Sequence, residues 1–123
     1  MDKVIMVLVV LYYEDAVINE LDNLNINKEL INSGNLKVYT TLDYASQEIM
    51  EEEILEHIKD EDLEVASVII NPLDGSILAL TGGINYNDSQ YNRALYSKRQ
   101  VGSTMKPFLY YAALNNGMTS IST

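Results

Sequence analysis

The 123-residue sequence predicts an α/β fold, built on an antiparallel hairpin with helices before and after it. Apolar residues recur at three and four in Tyr12–Leu24 and in Tyr44–Lys59, the period of amphipathic helices. Two apolar runs, Leu63–Asn71 and Ser76–Thr81, flank Pro72-Leu73-Asp74-Gly75, and Asp-Gly between such runs signals a hairpin. A last apolar segment, beginning near Ser103, reads as a helix in the middle of a domain.

Each element has a local reason. Tyr13, Val17, Leu21 and Leu24 form the stripe of the first helix, with Glu14, Asp15, Glu20 and Asp22 between them. Asn25–Asn35 is rich in Asn and ends in Ser33-Gly34, so it is a connector. Leu36–Thr41 alternates and is β-branched, which predicts a short strand. Asp43 is the expected N-cap of the next helix, whose stripe is Met50, Ile54, Leu55 and Ile58. Both hairpin strands are apolar at nearly every position, which predicts burial on both faces. Ile84–Gln100 has no period and is long for a connector. In the last helix, Pro107 cannot donate to the carbonyl of Ser103. The helix must therefore start close to Ser103, and Gly117 is its natural C′ residue.

Composition excludes several classes. Apolar residues make up 47%, too many for wholesale disorder. The net charge of -10 argues against nucleic acid as a partner. There is no cysteine, hence no disulfide, cysteine–zinc or thiol chemistry. The single histidine, His57, lies on an acidic helix and reads as a surface or boundary residue; no metal and no other cofactor is implied. Val4–Leu11 is an apolar run of eight, well short of the ~20 residues of a membrane span. It reads as a buried strand or a poorly specified terminus, and Asp2 argues against a signal peptide.

Charge is segregated. Asp43–Glu64 holds ten acids against the one base Lys59, the pattern of a solvated helix face. After Asp88 there is no acid, and Arg93, Lys98, Arg99 and Lys106 follow. Those bases surround Ser103-Thr104-Met105-Lys106, an S-x-x-K. Three residues apart on a helix, the two side chains share a face with Cβ atoms ~5–6 Å apart. A neutral lysine amine there can take the serine proton, and the hydroxyl can attack a carbonyl to form an acyl-enzyme. The helix N-terminus favours an oxyanion and disfavours a second cation. Arg99 and a buried setting would favour the neutral amine further, and Gly102 allows close backbone approach. The motif is short, however, and a helix N-terminus with a serine and an exposed lysine would look the same.

The surroundings are more specific. Arg99-Gln100-Val101-Gly102-Ser103-Thr104-Met105-Lys106-Pro107-Phe108 resembles the R-Q-P-G-S-x-x-K-P-F box of the bifunctional, class A penicillin-binding proteins. Ser89-Gln90-Tyr91-Asn92-Arg93-Ala94 resembles their S-Q-F-N-R-A loop, and Asn71–Gly83 their P-x-x-G-x-I-x-A hairpin ending in Gly-Gly. Thr40-Thr41-Leu42-Asp43, with Gln47 after it, is similar to the opening of their transpeptidase domain. Val101 in place of proline and Met105 in place of an aromatic are mild departures.

The resemblance implies a penicillin-binding-protein/β-lactamase-like transpeptidase fold, an antiparallel sheet flanked by helices, of which this chain carries the first lobe. It assigns residues 1–11 to nothing recognisable, 12–39 to a linker after a glycosyltransferase domain, and 40–123 to the N-terminal part of the transpeptidase domain. Ser103 would be the acylated nucleophile, Lys106 its base, and Gly102 and Thr104 substrate-binding residues. The S-x-N and K-[ST]-G motifs that complete such a site would lie beyond Thr123. The implied activity is peptidoglycan D,D-transpeptidation on the outer face of the bacterial cytoplasmic membrane, with the anchor in another segment. The implied partners are stem peptides ending in D-Ala-D-Ala, β-lactam antibiotics and the remainder of the domain. A β-lactamase or D,D-carboxypeptidase of the same superfamily, or a non-catalytic lobe, are the alternatives.

Overall fold

The computed structural model describes residues 10–34, 36–59 and 63–121. The architecture is α/β. Helix α1 (Leu11–Asn23) and the short α2 (Lys28–Asn32) precede α3 (Tyr44–His57). Strands β1 (Ser67–Ile70) and β2 (Ile77–Thr81) follow, then α4 (Arg93–Tyr96), a 3₁₀ turn at Gly102–Met105 and α5 (Lys106–Asn115). Of the apolar run at Val4–Leu11, residues 4–9 lie outside the described residues; Val10 is buried and Leu11 opens α1.

The hairpin forms where Asp74-Gly75 predicts it. Ser67 pairs with Thr81, Val68 with Leu80, Ile69 with Ala79 and Ile70 with Ile77, with a bulge between Ile69 and Ile70. Gly75 takes φ +77°, and its N–H donates to Asn71 O at 2.8 Å. Asp74 Oδ1 accepts from the backbone N–H and the hydroxyl of Ser76, at 2.9 and 2.7 Å. The strands are not buried on both faces as expected. In β1 burial alternates, and Val68 and Ile70 are 40% and 55% exposed. Only the distal end of β2, at Ala79, Leu80 and Thr81, is sealed.

Leu36–Thr41 is not a strand. Thr41 Oγ1 instead donates to Ile77 O at 2.7 Å, and Asp43 N–H donates to Leu78 O at 2.8 Å. This segment closes the edge of β2 with isolated donors rather than with a ladder. Asn25–Asn35 is a connector with one extra turn, α2, whose N-cap Asn27 accepts from Glu29 N–H at 2.7 Å.

Helix α3 starts at the predicted cap, with Asp43 extended at φ -102° and accepting from Ser46 Oγ at 2.5 Å. Its stripe differs from the periodic reading. Leu55 is 60% exposed, and the buried residues are Gln47 and Met50. The core centres on Tyr12, Tyr13 and Leu80, where α1 crosses β2. Burying a tyrosine requires a partner for its hydroxyl. Tyr12 donates to Ser89 O at 2.5 Å and Tyr13 to Ile77 O at 3.0 Å.

Candidate active site

Gly102, Ser103, Thr104 and Met105 form the 3₁₀ turn, and Lys106 is the first residue of α5. The Ser103 carbonyl accepts the Lys106 N–H. This i→i+3 bond explains why Pro107 is tolerated: the acceptor that Pro107 cannot serve is already taken. Serine and lysine therefore bracket one turn, with Pro107 in the first positions of the helix. The Thr104 hydroxyl and N–H both donate to the Val101 carbonyl, the N–H at 3.2 Å, and pin the turn from its other end. Gly102 has φ +53°, and a Cβ there would meet nothing within 4 Å. It is a left-handed residue that starts the turn. At the far end Gly117, at φ +84°, ends the helix as predicted.

The expected burial of this helix is not found. No residue of the turn or of α5 is buried; Phe108 is 68% and Leu109 63% exposed. An open groove of about 600 Å³ runs along Leu109, Tyr110, Ala113, Leu114 and Met118. Lys106 and Arg99 are exposed as well, so the buried setting expected around the amine is not formed by the described residues.

The loop before the site is held tightly, and here sequence reasoning missed the main actors. Asn92 is 1% exposed, and its Nδ2 donates to Tyr12 O at 2.8 Å. A Cβ on Gly82 would overlap Asn92 Oδ1 and lie 2.6 Å from its Cα. A Cβ on Gly83 would overlap the Tyr12 hydroxyl. The Gly-Gly pair is therefore a packing requirement, because Asn92 and Tyr12 occupy the space. Tyr86 stacks edge-on against Tyr12, with centroids 4.9 Å apart, and donates to Asp15 Oδ2 at 3.0 Å. Burial is the main cause that raises the Tyr12 phenol above its usual range, with Glu64 adding to it. The signal in the sequence was Gly-Gly just before the aperiodic stretch and Asn-Arg midway along it.

His57 lies exposed at the end of α3, its Nδ1 3.5 Å from the Glu53 carboxylate. Among the described residues no group of three or more His, Cys, Asp or Glu side chains is placed to hold a metal, and no helix is long and apolar enough to cross a membrane.

A family model, the penicillin binding protein transpeptidase domain, matches residues 65–123, which contain the hairpin, the Asn92 loop, Ser103 and Lys106. Penicillin-binding protein 2D of Bacillus subtilis (strain 168) is 40% identical over 113 residues, covering 90% of this chain and 16% of its own length. Penicillin-binding protein 1A of Escherichia coli (strain K12) is 49% identical over 61 residues, 50% of this chain and 7% of its own. Penicillin-binding protein 1B of Buchnera aphidicola subsp. Acyrthosiphon pisum (strain APS) is 38% identical over 86 residues, 64% of this chain and 11% of its own. The chain spans less than a fifth of the length of each of these relatives. No solved structure matches it. The chain belongs to the class A penicillin-binding proteins and carries part of their transpeptidase domain.

Proposed function

We propose that the chain supplies the nucleophile-bearing part of a peptidoglycan D,D-transpeptidase. The observation that carries this reading is Ser103 and Lys106 bracketing one hydrogen-bonded turn, inside the segment that matches the transpeptidase family. The proton of the Ser103 hydroxyl passes to a neutral Lys106 amine while Oγ bonds to the carbonyl carbon of the penultimate D-Ala. The carbonyl oxygen takes the electron pair, and the Ser103 N–H stabilises it. Collapse breaks the C–N bond, and the terminal D-Ala leaves with the proton from Lys106. An amine of a neighbouring stem peptide then attacks the ester, loses its proton and regenerates the hydroxyl. β-Lactams acylate the same serine. Gly102 and Thr104, on either side of Ser103, contribute to substrate binding.

In this reading residues 12–39 are the linker, 40–123 the start of the transpeptidase domain, and 1–11 remain unassigned. The reaction takes place on the outer face of the bacterial cytoplasmic membrane, where a segment outside this chain anchors the protein. The open apolar face of α5 supports a second point: the chain by itself is inert and needs the remainder of the domain as a partner. Labelling with a fluorescent penicillin tests both. The full-length protein carrying this chain should label, and Ser103→Ala should abolish the label. The isolated 123-residue chain should not label. A full-length protein that labels equally well as Ser103→Ala overturns the assignment.

A further inference from the structure

Between the core and the nucleophile, one side chain gathers the chain together. Arg93 opens α4, and its N–H donates to Gly82 O at 3.1 Å. Its Nη1 reaches Gly82 O at 3.4 Å, Ser89 Oγ at 3.3 Å and Tyr91 O at 3.2 Å. Its Nη2 lies 3.1 Å from Glu64 Oε1, with both side chains about a quarter to a third exposed. The other oxygen of Glu64 accepts the Ile84 N–H at 3.4 Å. One ion pair thus ties the start of the loop at Gly82 and Ile84 to its end at Ser89 and Tyr91, and both to the segment before β1. The guanidinium also lies 5.6 Å from the Tyr91 ring centroid.

The chain beyond Arg93 is not anchored in the same way. Tyr96 is half exposed and Ser97 to Val101 are exposed, and no residue of the 3₁₀ turn or α5 is buried. The anchored stretch before Ser103 therefore begins at the Asn92–Arg93 clamp on Gly82 and ends at Leu95, which packs on the core, and Tyr96, whose hydroxyl donates to Asn19 Oδ1 at 3.4 Å. We propose that Arg93, held by Glu64, is a positioning residue for Ser103: it sets where the nucleophile turn stands relative to the hairpin, without touching substrate. The planar fork is required, since an ammonium group at this site cannot reach Gly82, Ser89, Tyr91 and Glu64 together. The proposal rests on the reading of Ser103 as the nucleophile. A nucleophile displaced by about 1 Å loses up to about a hundredfold in rate, because the reacting atoms must meet in near-attack geometry.

The test uses the full-length protein and a fluorescent penicillin, and reads the acylation rate at saturation, the half-saturating concentration and the thermal midpoint. Glu64→Gln and Arg93→Lys should lower the saturating rate about tenfold or more and leave the half-saturating concentration within twofold. Met50→Ala, remote on α3, serves as a control that lowers the midpoint without touching the clamp. The double variant should be no slower than Arg93→Lys alone, as expected when two residues act as one unit. Saturating rates within twofold of wild type in both single variants overturn the proposal, as does a loss that Met50→Ala reproduces at equal midpoint. Should Arg93→Lys fail to fold, Glu64→Gln decides alone. Absence of labelling in the wild type removes the functional reading and this proposal with it. Labelling that is normal in the Arg93 and Glu64 variants removes this proposal only.

Discussion

The side-chain amide of Gln47 pairs with the backbone of Leu80 as a neighbouring strand would. Leu80 N–H donates to Gln47 Oε1 at 2.8 Å, and Gln47 Nε2 donates to Leu80 O at 3.0 Å. Gln47 is fully buried and Leu80 is 2% exposed. With Thr41 on Ile77 and Asp43 on Leu78, this pair completes the outer edge of β2 from the N-terminal end of α3. An edge strand with open N–H and C=O groups invites foreign pairing, and here side chains close it.

Gln47→Ala should destabilise the protein by about 2–4 kcal/mol, since it strands a buried backbone donor and acceptor together. Gln47→Glu should also destabilise, because a carboxylate cannot donate to Leu80 O. Urea unfolding of the two variants against wild type measures both. A change below about 0.5 kcal/mol in Gln47→Ala would show that water satisfies Leu80 equally well.

Gln47 Nε2 also donates to Glu51 Oε1 at 2.5 Å. Burial raises the Glu51 carboxyl from its ordinary 4.5 to about 7, against the opposing pull of that hydrogen bond. A carboxyl with a raised native pKa holds its proton more tightly folded than unfolded. Its contribution to stability is complete below pH 4.5 and is lost as pH rises towards and through about 7. The midpoint of wild type relative to Glu51→Gln should therefore fall across this window. Two parallel curves between pH 4.5 and 7 would contradict it.

Gly82→Ala should cost about 1–3 kcal/mol, because the added carbon meets the backbone of Asn92 and something must move. Gly102→Ala meets no atom and should cost about 1–2 kcal/mol, from its left-handed backbone alone. The causes separate with Asn92→Ala as second mutation. The cost of Gly82→Ala should shrink in that background, while that of Gly102→Ala should stay unchanged in a thermal-melt comparison.

Ser103→Ala should leave stability within about 0.5 kcal/mol, since the residue is exposed, yet abolish penicillin labelling of the full-length protein. Lys106→Ala should slow acylation by about 10²–10⁴, the usual worth of general-base assistance. Lys106→Arg should not restore it, because guanidinium stays protonated. Near wild-type acylation by Lys106→Arg would reduce the lysine to an electrostatic anchor.

Local chemistry was legible in the sequence wherever a short stretch determines its own conformation. Asp74-Gly75 specifies the hairpin turn, Asp43 the start of α3, and Pro107 and Gly117 the two ends of the last helix, because φ preferences and capping act over a few residues. The S-x-x-K spacing placed Ser103 and Lys106 on one turn for the same reason. The tertiary structure decided what lies far apart in sequence. Periodicity counts Gln47 as polar and Leu55 as core, yet Gln47 is buried because β2 needs a partner for Leu80, while Leu55 faces outward. Leu36–Thr41 has strand composition but lends single donors to β2, since a side chain and one N–H already satisfy Ile77 and Leu78. The roles of Gly82, Asn92 and Arg93 follow from contacts with Tyr12 and Glu64, across 80 residues in the case of Asn92 and Tyr12. No local pattern encodes such contacts, because they exist only once α1, the hairpin and the loop have closed on one another.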